Sequence, residues 1–205
     1  AGAGAPPPAS FDDYVISYMG EIIANGVEAS VWSGADATGG QFEGFLTATT
    51  GAFAVDGTVN ASTASAAYTA SNIITNLQTL TADMATDISA VLRKEDLHIY
   101  MSPKTYALYV SAVSTLGYVN AYNMNGDYAP VFEGYKIAVC NGMPDNQLVA
   151  AEKSNLFFGT DLLSDQTRIA LMDMAALDGS DNMRLVARYS GGVQLGIGAD
   201  IVHQS

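Results

Sequence analysis

The sequence predicts an α+β protein, with two long helices early in the chain and a run of strands in its second half. Three observations carry that expectation. Apolar residues recur at steps of three and four over residues 11–32 and again over 71–92, the period of a helix with one apolar face. From residue 130 onward the pattern changes to short alternating runs separated by turn signals such as Asn141-Gly142. The chain has 205 residues, 49% hydrophobic and 14% charged, enough to bury a sizeable core and too apolar to remain disordered.

The first ten residues, AGAGAPPPAS, read as a linker or cut end, with Pro6, Pro7 and Pro8 extended. The helix over 11–32 carries Phe11, Val15, Met19, Ile22, Gly26, Val27 and Val31 as one stripe. Ser10 and Asp13 form its expected cap, and Asp12 and Asp13 suit the positive end of its dipole. Gly34, Gly39 and Gly40 end it. Residues 35–70, rich in Thr, Ala and Gly, fit edge strands or an ordered loop. The helix over 71–92 places Ile73, Leu77, Leu80, Met84, Ile88 and Val91 on one face. A strand follows over 97–101, then Ser102-Pro103, an N-cap with proline at the first helical position. That third helix presents Tyr106, Tyr109, Val110, Val113 and Leu116 and closes at Gly117. Residues 117–129 form a Tyr/Asn/Gly loop. Strands are expected over 130–140, 147–152, 155–159, 168–174 and 183–189, with a turn at 178–182. A last one bears Val193, Leu195, Ile197, Ala199 and Ile201 on one face.

Charge excludes one large class of function. Eight Lys and Arg stand against 21 Asp and Glu, a net charge of −13. Residues 1–92 hold nine acids and no base; residues 93–205 hold twelve acids and eight bases. Binding nucleic acid through a basic face needs clustered cations, which this chain lacks. A lone Cys140 excludes an internal disulfide framework. No stretch reaches the eighteen apolar residues of a membrane span, and no basic region precedes an apolar one as in a secretory signal. Few charges are left to cover so much apolar content. Either it is core, or subunits bury it against each other.

Catalytic patterns are thin. His98 alternates with Leu97 and Ile99, which reads as a sheet-face histidine rather than a general base; His203 is the third residue from the last. Gly191 to Gly198 is glycine-rich but sits on a strand with no helix after it, so it cannot cradle phosphate. Cys140, His98 and His203 are too few and scattered for zinc. Asp178, Asp181 and Asn182 suit a hairpin turn better than a calcium loop. Asp161 and Asp165 are the kind of carboxylate pair a hydrolase uses, but 21 acids make such pairs commonplace. Asn60-Ala-Ser62 matches a glycosylation sequon of low specificity. No catalytic, cofactor or metal residue is assigned.

The order of motifs is informative where single motifs are not. A long helix runs into Trp32-Ser-Gly-Ala-Asp36 and Phe42-Glu-Gly-Phe-Leu46. A helix and strand then lead to His98-Ile-Tyr-Met-Ser-Pro-Lys-Thr-Tyr106. Phe132-Glu-Gly-Tyr-Lys-Ile-Ala-Val139, Asn155-Leu-Phe-Phe-Gly159 and Arg184 to Tyr189 follow in turn. From residue 11 to 202 this order resembles the major capsid proteins of tailed bacteriophages, the Hong Kong 97-like shell fold that encapsulins also use.

The resemblance implies a peripheral domain over 11–91 with a spine helix, an inserted axial domain over 92–159, and strands over 160–205 returning to the peripheral domain. It implies a structural subunit, without cofactors, that forms pentamers and hexamers and then an icosahedral shell around double-stranded DNA. Its partners would be copies of itself, with portal, scaffold or decoration proteins besides. The enclosed genome would not be bound specifically, no membrane would be involved, and assembly would run in the host cytoplasm to give a virion. Loops at 117–129 and 141–146 become the candidate contacts at the capsomer axis, through Tyr118, Tyr122, Tyr128, Asn141 and Asn146. Only ten residues stand where the family carries an arm and an extended loop, so no cross-linking lysine is assigned. An encapsulin shell is the alternative within the fold; an acidic hydrolase or small-ligand-binding domain is the alternative outside it.

Overall fold

Strand-forming runs from both ends and the middle of the chain meet in one six-stranded sheet. In the computed structural model, which describes residues 11–36, 41–64, 67–115, 130–161, 169–174, 179, 183–187 and 190–205, its order is β1-β10-β5-β2-β4-β3. The strands are β1 (Asn60–Ser62), β2 (Leu97–Met101), β3 (Val131–Phe132), β4 (Tyr135–Val139), β5 (Leu148–Glu152) and β10 (Val202–Gln204). Strands β2 and β4 run parallel, joined through helix α4 (Pro103–Thr115); β5 is antiparallel to both β2 and β10. Two ribbons lie apart from it: β6 (Leu156–Gly159) with β9 (Gly192–Leu195), and β7 (Ile169–Asp173) with β8 (Met183–Ala187).

Both faces of the sheet's centre are covered. Leu97, Ile99, Met101, Ile137, Leu148, Ala150 and Val202 pack on one side against helix α3 (Ile73–Asp87) and Ala112 of α4. On the other side Val149 and Ala151 meet Trp32, Phe45, Phe53, Met143, Leu195 and Ile201. Strand β5 is therefore buried at all five positions, which is why it reads as a continuous apolar run rather than an alternation.

Helix α3 follows its expected stripe closely. Ile73, Leu77, Leu80 and Met84 have no solvent exposure, and Ile88 and Val91 are buried too; each such side chain contributes about 1.5–3 kcal/mol. The helix is shorter than 71–92. Asn72 folds the turn before it, accepting from the Thr69 N–H at 2.7 Å and donating to the Ala67 carbonyl at 3.0 Å. After Asp87, successive three-residue turns (Val91 N–H to Ile88 O, Lys94 N–H to Val91 O) keep Ile88 and Val91 facing the core without a helix. At the head of α4 the Ser102 hydroxyl accepts from the Thr105 N–H at 3.2 Å, the expected cap. The expected strand over 130–140 is a hairpin, turning on Glu133 and Gly134, both at positive φ, as a two-residue turn requires.

Two expectations are corrected. The last alternating run is not one strand. It breaks into β9, a bend, a short 3₁₀ turn at Gly198–Asp200 and β10, and Ile197 points into solvent. The side chain of Asn155 holds the break, donating to the Ile197 carbonyl and accepting from its N–H, both at 2.7 Å. Residues 35–70 contain a short helix, α2 (Ala52–Asp56), as well as the edge strand β1. Sheet and core contacts also cross residues 92 and 159. Strand β1 and helix α3, from before residue 92, share the sheet and core of β2, β4 and β5, and β10 returns to that sheet between β1 and β5. Burial joins what sequence order separates: Gln204 receives the Tyr68 hydroxyl at 3.0 Å and donates to Ser62 Oγ at 3.0 Å.

Candidate assembly surface

Helix α1 (Phe11–Ser33) is fastened to the body at its C-terminal end. Its last carbonyls are not left orphaned, as helix ends otherwise would be. Val31 O accepts from the Phe45 N–H at 2.9 Å, Trp32 O from Leu46 at 2.8 Å and Gly34 O from Gly44 at 2.9 Å. A chain of rings continues the joint inward: Trp32 to Phe45 (5.8 Å between centroids), Phe45 to Phe53 (5.6 Å) and Trp32 to Tyr100 (5.6 Å).

The 141–146 loop completes this joint from the other side. The Gly142 N–H donates to Glu28 Oε1 at 3.2 Å. Any Cβ on Gly142 would stand 2.5 Å from the backbone of Glu28 and Ala29, so only glycine fits. Asp145 accepts from the Ser102 hydroxyl at 3.0 Å and pairs with Lys104 at 2.8 Å; the Lys104 ammonium, helped by Ser102, holds the Asp145 carboxyl below its ordinary range. Asn146, at φ 59, accepts from the Tyr68 N–H at 2.8 Å. Asn141 is exposed.

Asn141 and Asn146 belong to the loop whose Gly142 meets α1 and whose Asp145 meets Ser102 at the start of α4. Tyr118, Tyr122 and Tyr128 lie outside the described residues, as do Asp165, Asp178, Asp181 and Asn182.

The stripe expected to seat α1 behaves differently from that of α3. Val15, Met19 and Val31 are half-buried, while Ile22 and Gly26 are exposed. A second row, Tyr14, Tyr18 and Ile22, faces outward at i, i+4 and i+8, with the two tyrosine rings stacked 6.3 Å apart. The ribbon β6–β9 buries Leu195 but exposes Phe157 and Phe158, and Ile197 stands exposed just beyond it. The spacing of Tyr14, Tyr18 and Ile22 was visible in the sequence; a single chain gives no sign of which of two stripes faces out.

Reactive chemistry is muted by burial. Desolvation depresses His203 to about 4 and pushes Cys140 up to about 11 and Tyr100 to about 12, so none of them exchanges a proton near neutral pH. His203 Nε2 meets Gln147 Oε1. His98 Nδ1 lies 2.7 Å from the Asp96 carbonyl, which can only accept, so that nitrogen carries the proton. Among the described residues no three His, Cys, Asp or Glu side chains gather as metal ligands, and no helix is long and apolar enough to cross a membrane. A cleft of about 390 Å³ beside Phe45, Phe53, Val59 and His203 has no acidic side chain in its lining. The Asn60 amide donates to the Ala199 and Ile201 carbonyls at 2.9 and 3.2 Å, so the sequon asparagine pins β1 to the 199–201 turn.

Comparison with known proteins gives a consistent picture. The family model described as "Phage capsid family" matches residues 7–183. Comparison with curated protein sequences gave no match. Among solved structures, a chain of Mycobacterium phage Che8 superposes with a TM-score of 0.60 at 13% identity, over 96% of this chain and 63% of that one. The capsid of an empty GTA particle gives 0.62 at 15% identity, over 96% and 67%. The virus-like particle from Pyrococcus furiosus gives 0.50 at 12% identity, over 91% and 65%. The chain thus spans under two thirds of the length of the Che8 and Pyrococcus chains, and at these identities the likeness is one of fold, the Hong Kong 97-like fold.

Proposed function

The chain belongs to the phage capsid family, and from that premise we propose that it is a non-catalytic structural subunit of an icosahedral capsid. Copies associate into pentamers and hexamers and close around double-stranded DNA. The observation that carries this reading is the contrast between a well-filled core and the exposed row of Tyr14, Tyr18 and Ile22 on helix α1. Head-to-tail contacts between such faces close into rings when the rotation permits. Helix α1 and the 43–46 segment act as the peripheral frame and the six-stranded sheet as the axial domain. Tyr118, Tyr122 and Tyr128 supply the contact at the capsomer axis, where aromatic side chains suit an interface core. Portal, scaffold and decoration proteins are further partners; assembly takes place in the host cytoplasm and the product is a virion.

The charge distribution supports a particular relation to the genome. Asp13 and Glu21 on α1 are exposed, and no base precedes residue 93. An acidic wall repels DNA at short range, although salt screens the field beyond about 8–10 Å. The subunit encloses the genome without gripping it. Electron microscopy of the purified protein tests the proposal: rings or shells are expected, and a clean monomer at high concentration with no ring particles overturns it. The fold shared with the Pyrococcus particle supports a second reading, an encapsulin-type compartment, for which a co-purifying cargo protein in place of nucleic acid is the signature.

A further inference from the structure

We infer that Asn141-Gly142 is a self-modification site, an asparagine that converts to aspartate and isoaspartate, and that the seat of helix α1 keeps it closed. The inference is independent of the shell reading. Asparagine followed by glycine is the pair in which this conversion runs most readily, because glycine has no Cβ to obstruct the attack. The Gly142 nitrogen gives up its proton to solvent base and attacks Asn141 Cγ. The new N–Cγ bond forms, the Cγ–Nδ2 bond breaks, and Nδ2 takes up a proton and leaves as ammonia. Water then opens the cyclic imide at either carbonyl, and nothing is oxidised or reduced.

Three Asn-Gly pairs occur in the sequence, beginning at residues 25, 125 and 141. Asn125 lies outside the described residues. Asn25 and Gly26 are exposed but sit inside α1, where i→i−4 hydrogen bonds fix the backbone on both sides. Asn141 is exposed and stands outside any helix or strand, in a turn closed by the Met143 N–H donating to the Cys140 carbonyl at 3.2 Å. Water reaches it, and ammonia has a way out.

What holds the pair back comes from α1. Attack requires the Gly142 N–H to leave its present partner and swing toward the Asn141 side chain. That N–H donates to Glu28 Oε1 at 3.2 Å, and Gly142 is wedged against the backbone of Glu28 and Ala29, where a Cβ would stand at 2.5 Å. The carboxylate also opposes loss of the proton, since the nitrogen would become an anion beside a negative charge. Its field reaches across the turn: the Cys140 thiol is pushed up to about 11, by burial first and by Glu28 second. The nitrogen is therefore released only when the joint between α1 and the 141–146 loop opens locally, at a smaller cost than global unfolding. Both products add a carboxylate, and isoaspartate lengthens the main chain at 141 by a carbon. The Gly142 N–H then no longer returns to Glu28 in register, so the conversion records that the joint has opened.

Peptide mass spectrometry of the full chain, resolving the asparagine, aspartate and isoaspartate forms during incubation at constant pH, tests this. Asn141 in the native wild type should convert about tenfold or more slowly than in the same chain unfolded in guanidinium chloride, the protection that a closed local structure confers. Glu28→Ala should raise the native rate at Asn141 several-fold and leave Asn25 as slow as before, since alanine preserves the helix. Circular dichroism matching the wild type confirms folding. If Glu28→Ala misfolds, Glu28→Gln, which removes the charge and keeps the shape, takes its place, and the native-against-unfolded comparison stands without either variant. Equal rates at Asn141 in the native and unfolded wild type overturn the inference, as does an unfolded chain in which Asn141 does not convert. A Glu28→Ala rate unchanged from the wild type overturns it too. So does a rise at Asn25 as large as that at Asn141, which would mean that α1 unravels rather than that the joint opens.

Discussion

Helices α1 and α3 carry similar apolar periodicity and meet opposite fates. Every stripe residue of α3 is sealed beneath the sheet. On α1 only the C-terminal end is fully buried, at Ser30 and Trp32, where the 44–46 N–H groups donate to its carbonyls, while Val15, Met19 and Ile23 are half-buried and Ile22 is exposed. Amphipathic spacing states that a face will be buried; it does not state by whom. In α3 the partner is the same chain. In α1 the proposed partner is another copy.

That contrast can be broken most forcefully at Leu80, which has no exposure. Leu80→Ala should cost about 3–5 kcal/mol of unfolding free energy, the range for a large-to-small change in a core that cannot collapse. Urea denaturation of the dissociated chain measures it, and a cost below about 1 kcal/mol would show that α3 is looser than its burial implies.

A smaller effect tests the layer that anchors α1. His203, edge-on to Phe53, is held neutral down to about pH 4 by burial, against an ordinary value of 6.5. The unfolded chain takes up the proton first, so this contribution is complete above about pH 6.5 and is lost as pH falls toward 4. The loss is on the order of 3 kcal/mol. His203→Gln should flatten the stability profile across that window; an unchanged slope in the variant would remove His203 as its source.

The smallest effect is expected where α1 faces outward. Tyr14→Ala should change the stability of the dissociated chain by less than about 0.5 kcal/mol, as at most surface sites. Matching denaturation midpoints for variant and wild type are the expected result. A loss of 2 kcal/mol or more would mean that the tyrosine row is already packed within one subunit.

Much of the fold was legible from residue chemistry. The stripe of α3, the Ser102-Pro103 helix start and the alternation of β2 state local rules that tertiary packing then obeys. Strand β5 was readable as well, because a fully buried strand needs a continuous apolar run. The breaks in legibility have physical causes too. The run from Val193 to Ile201 alternates as cleanly as any strand, yet the Asn155 clamp turns Ile197 outward, a contact 42 positions away in the chain. Helix α2 is too short to display a period. The parallel pairing of β1 with β10 joins segments about 140 residues apart, and nothing in either segment announces the other. The assembly surface was legible only in part. The family resemblance pointed to self-association, but neither the contact of Gly142 with α1 nor the exposure of Phe157 and Ile197 stood out from the patterns around them.

The placement of β10 between β1 and β5 also sets a clock on biosynthesis. Ser62 of strand β1 and its hydrogen-bonding partner Gln204 are made 142 positions apart. While the ribosome is still making residues 63–201, β1 has no neighbour in the sheet and the polar groups of Ser62 and Tyr68 await Gln204. The central sheet cannot close until residue 204 has been made. Contacts so distant in the chain close late, and a nascent chain lacks its finished sheet throughout the synthesis of the 142 positions that separate Ser62 from Gln204. Until Gln204 is in place, a half-made chain has no finished sheet to offer a neighbouring copy.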